Sequence, residues 1–405
     1  MLCYILFIIV LGLPVICAEF IIGSTARCNQ YSAYTRLKPH TRWRLTGYIG
    51  LTASLMILSF YSVVAGWTME YCIRSATGGL QLSSPEQYGE TFAAFTSGNW
   101  RPLFWTISFL VVNNYILLRG VAKGIERISN VLMPLLFVLI VIFCINSLTM
   151  PQAGKALVFL FKPDFSALTP KVLMGALGQA FFSLSIGLGC MMTYASYFKR
   201  DTRIGRTAFT TASLDTLVAI LSGVIIFPAV FSYGMSPAQG PTLVFEVLPS
   251  IFHQLPLGMV WSTLFFFLLF LASVTSTISM SEISISYMVE EKHLSRRTAT
   301  WISTGIAVFF GTLCCLSFGC LSDVRLLGMT IFDIFNSVSS DLLLPIGGIC
   351  ISLFAGWSLP RKTLTDALTS HGAHRCRYAP LLIAGIRYVA PLGISLILLN
   401  TLGLL

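Results

Sequence analysis

The stretch QAFFSLSIGLGCMMTYASY, residues 179–197, decides how the rest of the chain is read. It is apolar enough to lie inside a membrane, yet Ser183, Ser185, Gly187 and Gly189 occupy every second position through its middle. Each glycine weakens a helix by ~1 kcal/mol relative to alanine. Nearby hydroxyls can bond the carbonyls that a loosened turn sets free. One reading is therefore a membrane helix that unwinds halfway, a break that in secondary transporters holds ions or substrate near the midplane. The other reading is a close helix crossing, because Gly and Ser also let two backbones approach.

Outward from this segment the chain stays apolar. Its 405 residues have a mean hydropathy of +0.80 and only 10% are charged, where a soluble chain would carry about 25%. Ten apolar stretches, 2–23, 47–72, 103–118, 130–149, 172–198, 208–233, 258–289, 299–318, 327–357 and 380–403, approach or exceed the ~20 residues needed to cross the hydrocarbon layer. A span in lipid must satisfy its own backbone, so these are helices; a barrel would show short alternating segments. The expectation is an all-α, polytopic membrane helix bundle with ten spans, one transmembrane domain over residues 1–405 and no soluble domain. Stretches 47–72 and 258–289 exceed one bilayer crossing, which implies tilt. Residues 1–22 lack a basic leader and contain Glu19, unlike a signal peptide.

The net charge of +10 is distributed by topology. Loops 24–45, 119–129, 199–206, 290–298 and 359–378 hold 19 Lys/Arg, and the alternate loops 73–102, 150–171, 234–257 and 319–326 hold 6. Basic loops stay cytoplasmic, so Met1 starts on the outer side. The basic residues are topology signals and not a nucleic-acid patch. The basic stretch 119–129 suits the cytoplasmic membrane surface. The 11 cysteines, among them Cys3, Cys17, Cys144, Cys190, Cys314, Cys315 and Cys350, show no zinc-ligand spacing and read as small packing residues. His40, His253, His293, His371 and His374 all fall in loops or at helix ends, with no acid–His or Ser–His spacing for catalysis. No catalytic residues and no organic cofactor are expected. Asn-x-Ser/Thr is absent, in keeping with a bacterial protein.

A carboxylate at mid-bilayer costs at least ~2.5–3.5 kcal/mol, so Glu19, Asp215, Glu282, Asp333 and Asp341 each need a reason. Asp215, in TTASLDTLVAILSGVIIFP, reads either as a cation ligand or proton carrier, or as a hydrogen-bonded acid near a helix entry. FLASVTSTISMS (270–281) sets six hydroxyls between Ser273 and Ser281. They would suit a hard alkali cation, or would bond back to carbonyls of their own helix. Tyr61, in SFYSVVAGWT, needs a partner for its hydroxyl if buried.

Six segments, in order and at consistent spacing, resemble the neurotransmitter:sodium symporter family in its bacterial branch: GLPVICAEFIIG (12–23), SFYSVVAGWT (59–68), RGVAKGIERISNVLMPLLF (119–137), GQAFFSLSIGLGCMMTYASYFKRD (178–201), GPTLVFEVLP (240–249) and LASVTSTIS (271–279). The resemblance implies a fold of two inverted five-helix repeats, sodium-coupled amino-acid symport by alternating access, and location in the cell inner membrane, with sodium ions, an amino acid and the lipid bilayer as partners. Residues 1–23 would be the family's second helix and 380–403 its eleventh. The domain is thus expected to be N-terminally incomplete, lacking the first helix, which in the family supplies ligands to both sodium ions and the substrate. The competing reading is a truncated remnant or subunit that does not transport.

By resemblance, Tyr61 meets the substrate carboxylate and Phe182 covers it. Ile57, Ser185, Ile186, Leu188, Ser276 and Met280 line a pocket that is apolar and uncharged, which suggests a hydrophobic amino acid. Ser183 and Asp215 resemble ligands of a first sodium, and the Ala272 carbonyl, Thr275 and Ser276 those of a second. Glu19 would brace the unwound turn near Gly187. Tyr4, Gln179 and Ser183 match halide-site positions. Asp215 and Ala219, however, replace the Asn and Ser of chloride-dependent members, and a fixed carboxylate supplies the charge that chloride would bring. Chloride-independent transport is expected. The outer-gate acid position holds Asn336, with Asp333 one turn away.

Overall fold

Three prolines mark where the membrane helices change pitch. In the computed structural model of the protein, π-helical turns at Ile8–Gly12, Val338–Leu343 and Gly385–Val389 each end two residues before a proline: Pro14, Pro345 and Pro391. Proline has no N–H to donate, and its ring collides with the carbonyl four residues back. A wider preceding turn absorbs both defects without ending the helix.

The structure describes residues 1–82, 85–119, 126–166, 168–199, 201–232, 243–253, 256–370, 372 and 376–401. In chain order the helices are α1 (Leu2–Ala26), α2 (Gln30–Leu37), α3 (Arg44–Ala76), α4 (Pro85–Thr96), α5 (Trp100–Leu118), α6 (Glu126–Leu148), α7 (Ala153–Phe161), α8 (Pro170–Ser183), α9 (Cys190–Ala195), α10 (Ile204–Ser232), α11 (Leu248–His253), α12 (Gly258–Glu291), α13 (Arg296–Leu316), α14 (Ile331–Ser358), α15 (Arg361–Leu368) and α16 (Ala379–Asn400). No β-strand occurs among the described residues, and the fold is an all-α membrane bundle. Within the segments singled out by resemblance, 120–125, 200 and 240–242 lie outside the described residues.

Seven of these helices, α1, α3, α10, α12, α13, α14 and α16, are long and apolar enough to cross a bilayer. An eighth crossing arises if α6 and α7, which meet at 115°, form one bent span. The other expected stretches take less regular forms. Stretch 103–118 forms α5, whose Arg101, Asn113 and Asn114 make it less apolar. Stretch 172–198 is divided between α8 and α9.

The longest helices, α3 with 33 residues and α12 with 34, lie along each other and form the spine of the bundle. Small residues set the spacing around them. A Cβ on Gly66 of α3 would lie 2.7 Å from the Thr106 amide of α5, and one on Gly311 of α13 would lie 3.1 Å from Ser62 Oγ. Without much hydrophobic drive between helices in lipid, such close backbone contact is what holds them together. Polar side chains fix the helix starts: Asn29 accepts from the amides of Tyr31 and Ser32 to open α2, and Ser295 accepts from Thr298 to open α13.

Candidate functional site

The site grows from the division between α8 and α9. Thr169 caps α8 and Pro170 starts it, but the helix stops at Ser183, and residues 184–189 form an open turn before α9. Ser185, Gly187 and Gly189 have φ of +50°, +94° and +72°, the left-handed region that side chains resist. A Cβ on Gly187 would lie 2.1 Å from the Leu344 carbonyl oxygen of α14. A Cβ on Gly189 would lie 2.2 Å from the Gln30 side chain. The two readings of this stretch, a break and a close approach, are thus both realised: Gly187 helps to unwind the chain and also admits α14.

Glu19, buried in the middle of α1, reaches the open turn. Its Oε1 accepts the Gly187 N–H at 3.0 Å, and the amides of Gly189, Met191 and Met192 also face this carboxylate. A buried acid here has a plain structural reason, since an unwound turn leaves amides that need an acceptor. Gly23, one turn later in α1, lets α9 come close, for a Cβ there would sit 2.1 Å from the Met192 carbonyl.

At the other edge of the break three polar side chains form a relay. Tyr4 Oη donates to Ser183 Oγ at 2.9 Å, and Ser183 Oγ donates to Asp215 Oδ2 of α10 at 2.6 Å. Gln179, grouped with them by sequence, is exposed and not joined to this relay. On α12, Thr275 Oγ1 donates to the Ala272 carbonyl at 2.8 Å. Ser276 is half-buried, and its hydroxyl has no hydrogen-bond partner among the described residues. Tyr194 of α9 ties this helix to the break through a 2.7 Å contact with Ser279.

The residues proposed for a substrate pocket divide. Ile57, Leu188, Tyr61 and Met280 share one apolar cluster that joins α3, α12 and the open turn. The Tyr61 hydroxyl has no protein partner among the described residues. Ser185 is half-buried and Phe182 exposed. Ile186 is buried in a different cluster, against α1, where a Cβ on Gly12 would lie 3.5 Å from its Cδ1. The open turn points Ile186 and Leu188 to opposite sides. Near the expected outer gate, Asp333 is engaged in a capping box with Thr330 at the start of α14. Asn336 is exposed and accepts from Ser340 at 3.4 Å.

Two further buried acids have cationic partners. Glu282 makes a two-pronged pair with Arg296 at 3.1 and 2.7 Å, which satisfies an acid that the sequence singled out without a partner. Glu70, near the C-terminal end of α3, lies 2.7 Å from Arg101 and 3.6 Å from Arg74. Sequence reading passed over Glu70. Its i,i+4 spacing to Arg74 was visible, but the Arg101 contact joins two helices and was not.

The chain matches the sequence profile of the Sodium:neurotransmitter symporter family over residues 1–94 and 95–403. It is 38% identical over 402 residues to the uncharacterized sodium-dependent transporter YhdH of Bacillus subtilis, covering 99% of this chain and 89% of that protein. An uncharacterized sodium-dependent transporter of Haemophilus influenzae is 32% identical, with 97% of this chain and 88% of that one covered. Among solved structures, MhsT in complex with L-phenylalanine superposes with a TM-score of 0.92 and is 40% identical, over 99% of this chain and 90% of MhsT. The chain belongs to the Sodium:neurotransmitter symporter family.

Proposed function

We propose that this family member is a sodium-coupled symporter that carries a hydrophobic amino acid across the cell inner membrane by alternating access, without a need for chloride. The observation that carries the reading is the open turn at 184–189, flanked by the Ser183–Asp215 hydrogen bond and braced by Glu19.

In this reading the Tyr61 hydroxyl binds the substrate carboxylate and Phe182 closes over it. Ile57, Ser185, Leu188, Ser276 and Met280 surround the side chain. Ile186 faces α1 instead, so it supports the turn and is not assigned to the pocket wall. The wall has no charge to pair with an acidic or basic side chain. The MhsT complex holds L-phenylalanine, which favours the same substrate class here. Ser183 and Asp215 serve one sodium; the Ala272 carbonyl, Thr275 and Ser276 serve a second. An alkali cation takes several oxygen ligands with little covalent preference, and hydroxyls and carbonyls supply them.

Coupling follows from shared structure. An ion that fixes Ser183 also fixes the first residue before the open turn, and substrate that contacts Ser185 and Leu188 fixes the turn itself. Each raises the affinity of the other by the same factor. Asp215 keeps a negative charge beside the ion, and Ala219 offers no hydroxyl for a halide, which supports chloride independence.

The test is sodium-gradient uptake of tritiated phenylalanine, leucine and tryptophan into proteoliposomes, with this chain and with a form extended to any preceding in-frame start. The reading expects uptake by at least one form when sodium is outside and none in potassium alone. Correct insertion with no uptake by either form would support the non-transporting remnant instead.

A further inference from the structure

A groove of about 1010 Å³ runs along the outside of the bundle between α1, α10 and α16, away from the open turn. Its walls are apolar side chains left exposed among the described residues: Val10 of α1, Phe209 of α10, and Leu381 and Val389 of α16. One end carries Arg203, Arg206 and Arg377. All three are exposed, and no carboxylate pairs with any of them among the described residues. They stand on loops 199–206 and 359–378, which the basic-residue bias assigns to the cytoplasm.

The geometry orients the groove like a lipid. α1 and α16 run antiparallel, because Gly385 meets Pro14 while Gly393 meets Leu11. From Arg377 to Val389 the wall rises about 18 Å at 1.5 Å per residue, from the cytoplasmic interface toward the midplane. The cationic end is therefore at headgroup depth and the apolar walls at acyl-chain depth. Basic pockets between membrane helices on the cytoplasmic side favour anionic headgroups, and three guanidinium groups match a phosphate better than a zwitterionic headgroup whose own ammonium they repel.

We propose that this groove is a site for an anionic phospholipid of the cytoplasmic leaflet, its phosphate held by Arg203, Arg206 and Arg377 and its acyl chains laid along α1, α10 and α16. The site is independent of the transport reading.

The experiment is native mass spectrometry of the purified, detergent-solubilised protein titrated with phosphatidylglycerol or phosphatidylcholine of identical chains. Retention of phosphatidylglycerol should exceed that of phosphatidylcholine by about tenfold or more, and high salt should erase the preference. The R203Q/R206Q/R377Q variant should hold both lipids at the phosphatidylcholine level. If that variant does not fold, Arg206→Gln alone should still reduce the preference. Val10→Trp, which intrudes on the apolar wall, should reduce both lipids together. Inorganic phosphate or glycerol phosphate at millimolar concentration should not displace the lipid. Equal retention of the two lipids by the unaltered protein, an unchanged preference in the arginine variants, or displacement by phosphate alone would each overturn the proposal.

Discussion

Two stretches of this protein are rich in hydroxyls within the membrane, and one stays helical while the other opens. In α12 the hydroxyls turn back on their own helix. Ser273 donates to the Leu269 carbonyl at 2.8 Å, Thr277 to Ser273 at 2.9 Å and Ser279 to Thr275 at 3.1 Å. The helix runs unbroken for 34 residues. Between α8 and α9 the hydroxyl of Ser183 instead leaves its helix for Asp215, and the next residues take left-handed backbone angles at Ser185, Gly187 and Gly189. Hydroxyl content alone does not unwind a membrane helix. Left-handed glycines, an outside acceptor and a buried carboxylate for the freed amides do so together.

That contrast can be broken most directly at Gly187. In Gly187→Val the side chain would need a φ near +94° and would meet the Leu344 carbonyl. Backbone strain of this kind costs about 1–3 kcal/mol before any clash is counted. Uptake should fall to background and the thermal unfolding midpoint should drop, as read by uptake and by a melting scan in detergent. Normal uptake by this variant would mean that the open turn is not needed.

A smaller effect is expected at the edge of the break. Asp215→Asn keeps the shape and removes the charge that accepts from Ser183, and a hydrogen bond to a charged group is worth about 1.5–3 kcal/mol. The sodium concentration for half-maximal uptake should rise by about 10–100-fold. A sodium curve that does not move would detach Asp215 from the ion.

Smaller again is Tyr61→Phe, which removes a hydroxyl that no protein group uses among the described residues. Stability should hold, while the substrate KM rises about tenfold for one lost hydrogen bond to a carboxylate. A lowered melting point with unchanged KM would place that hydroxyl in the structure and not on the substrate.

The least effect should come from the intact helix. Thr277→Val deletes bonds to the Ser273 carbonyl at 2.9 Å and to Asn113 at 3.3 Å, with a stability loss of about 0.5–1.5 kcal/mol. Uptake should stay within about twofold, and a large transport defect would blur the contrast with the broken segment.

The membrane class and the break at 184–189 were legible in the sequence because apolar length, scarce charge and paired glycines are local properties. Glu19 and Asp215 stood out because an isolated carboxylate in an apolar run is costly. What they touch was not local. The pairing of Glu70 with Arg101 joins two helices, and the division between Ile186 and Leu188 depends on the direction of an irregular turn that has no periodicity to read. Asp333 looked like an intramembrane acid because hydropathy ran the apolar stretch 327–357 back to residue 327. The helix begins at Ile331, and the acid is used to cap it. Hydropathy averages over breaks and bends, so it could not separate α8 from α9 or foresee the 115° turn between α6 and α7.

The central claim is that Asp215, bonded to Ser183 beside the opened turn, supplies the fixed charge for the sodium step. The most direct measurement is sodium-driven phenylalanine uptake by the transporting form in proteoliposomes, with chloride replaced throughout by gluconate, for the unaltered protein and for Asp215→Asn. Full uptake without chloride by the unaltered protein and a strong loss in the variant are expected. Uptake by the unaltered protein that collapses in gluconate would contradict the central claim.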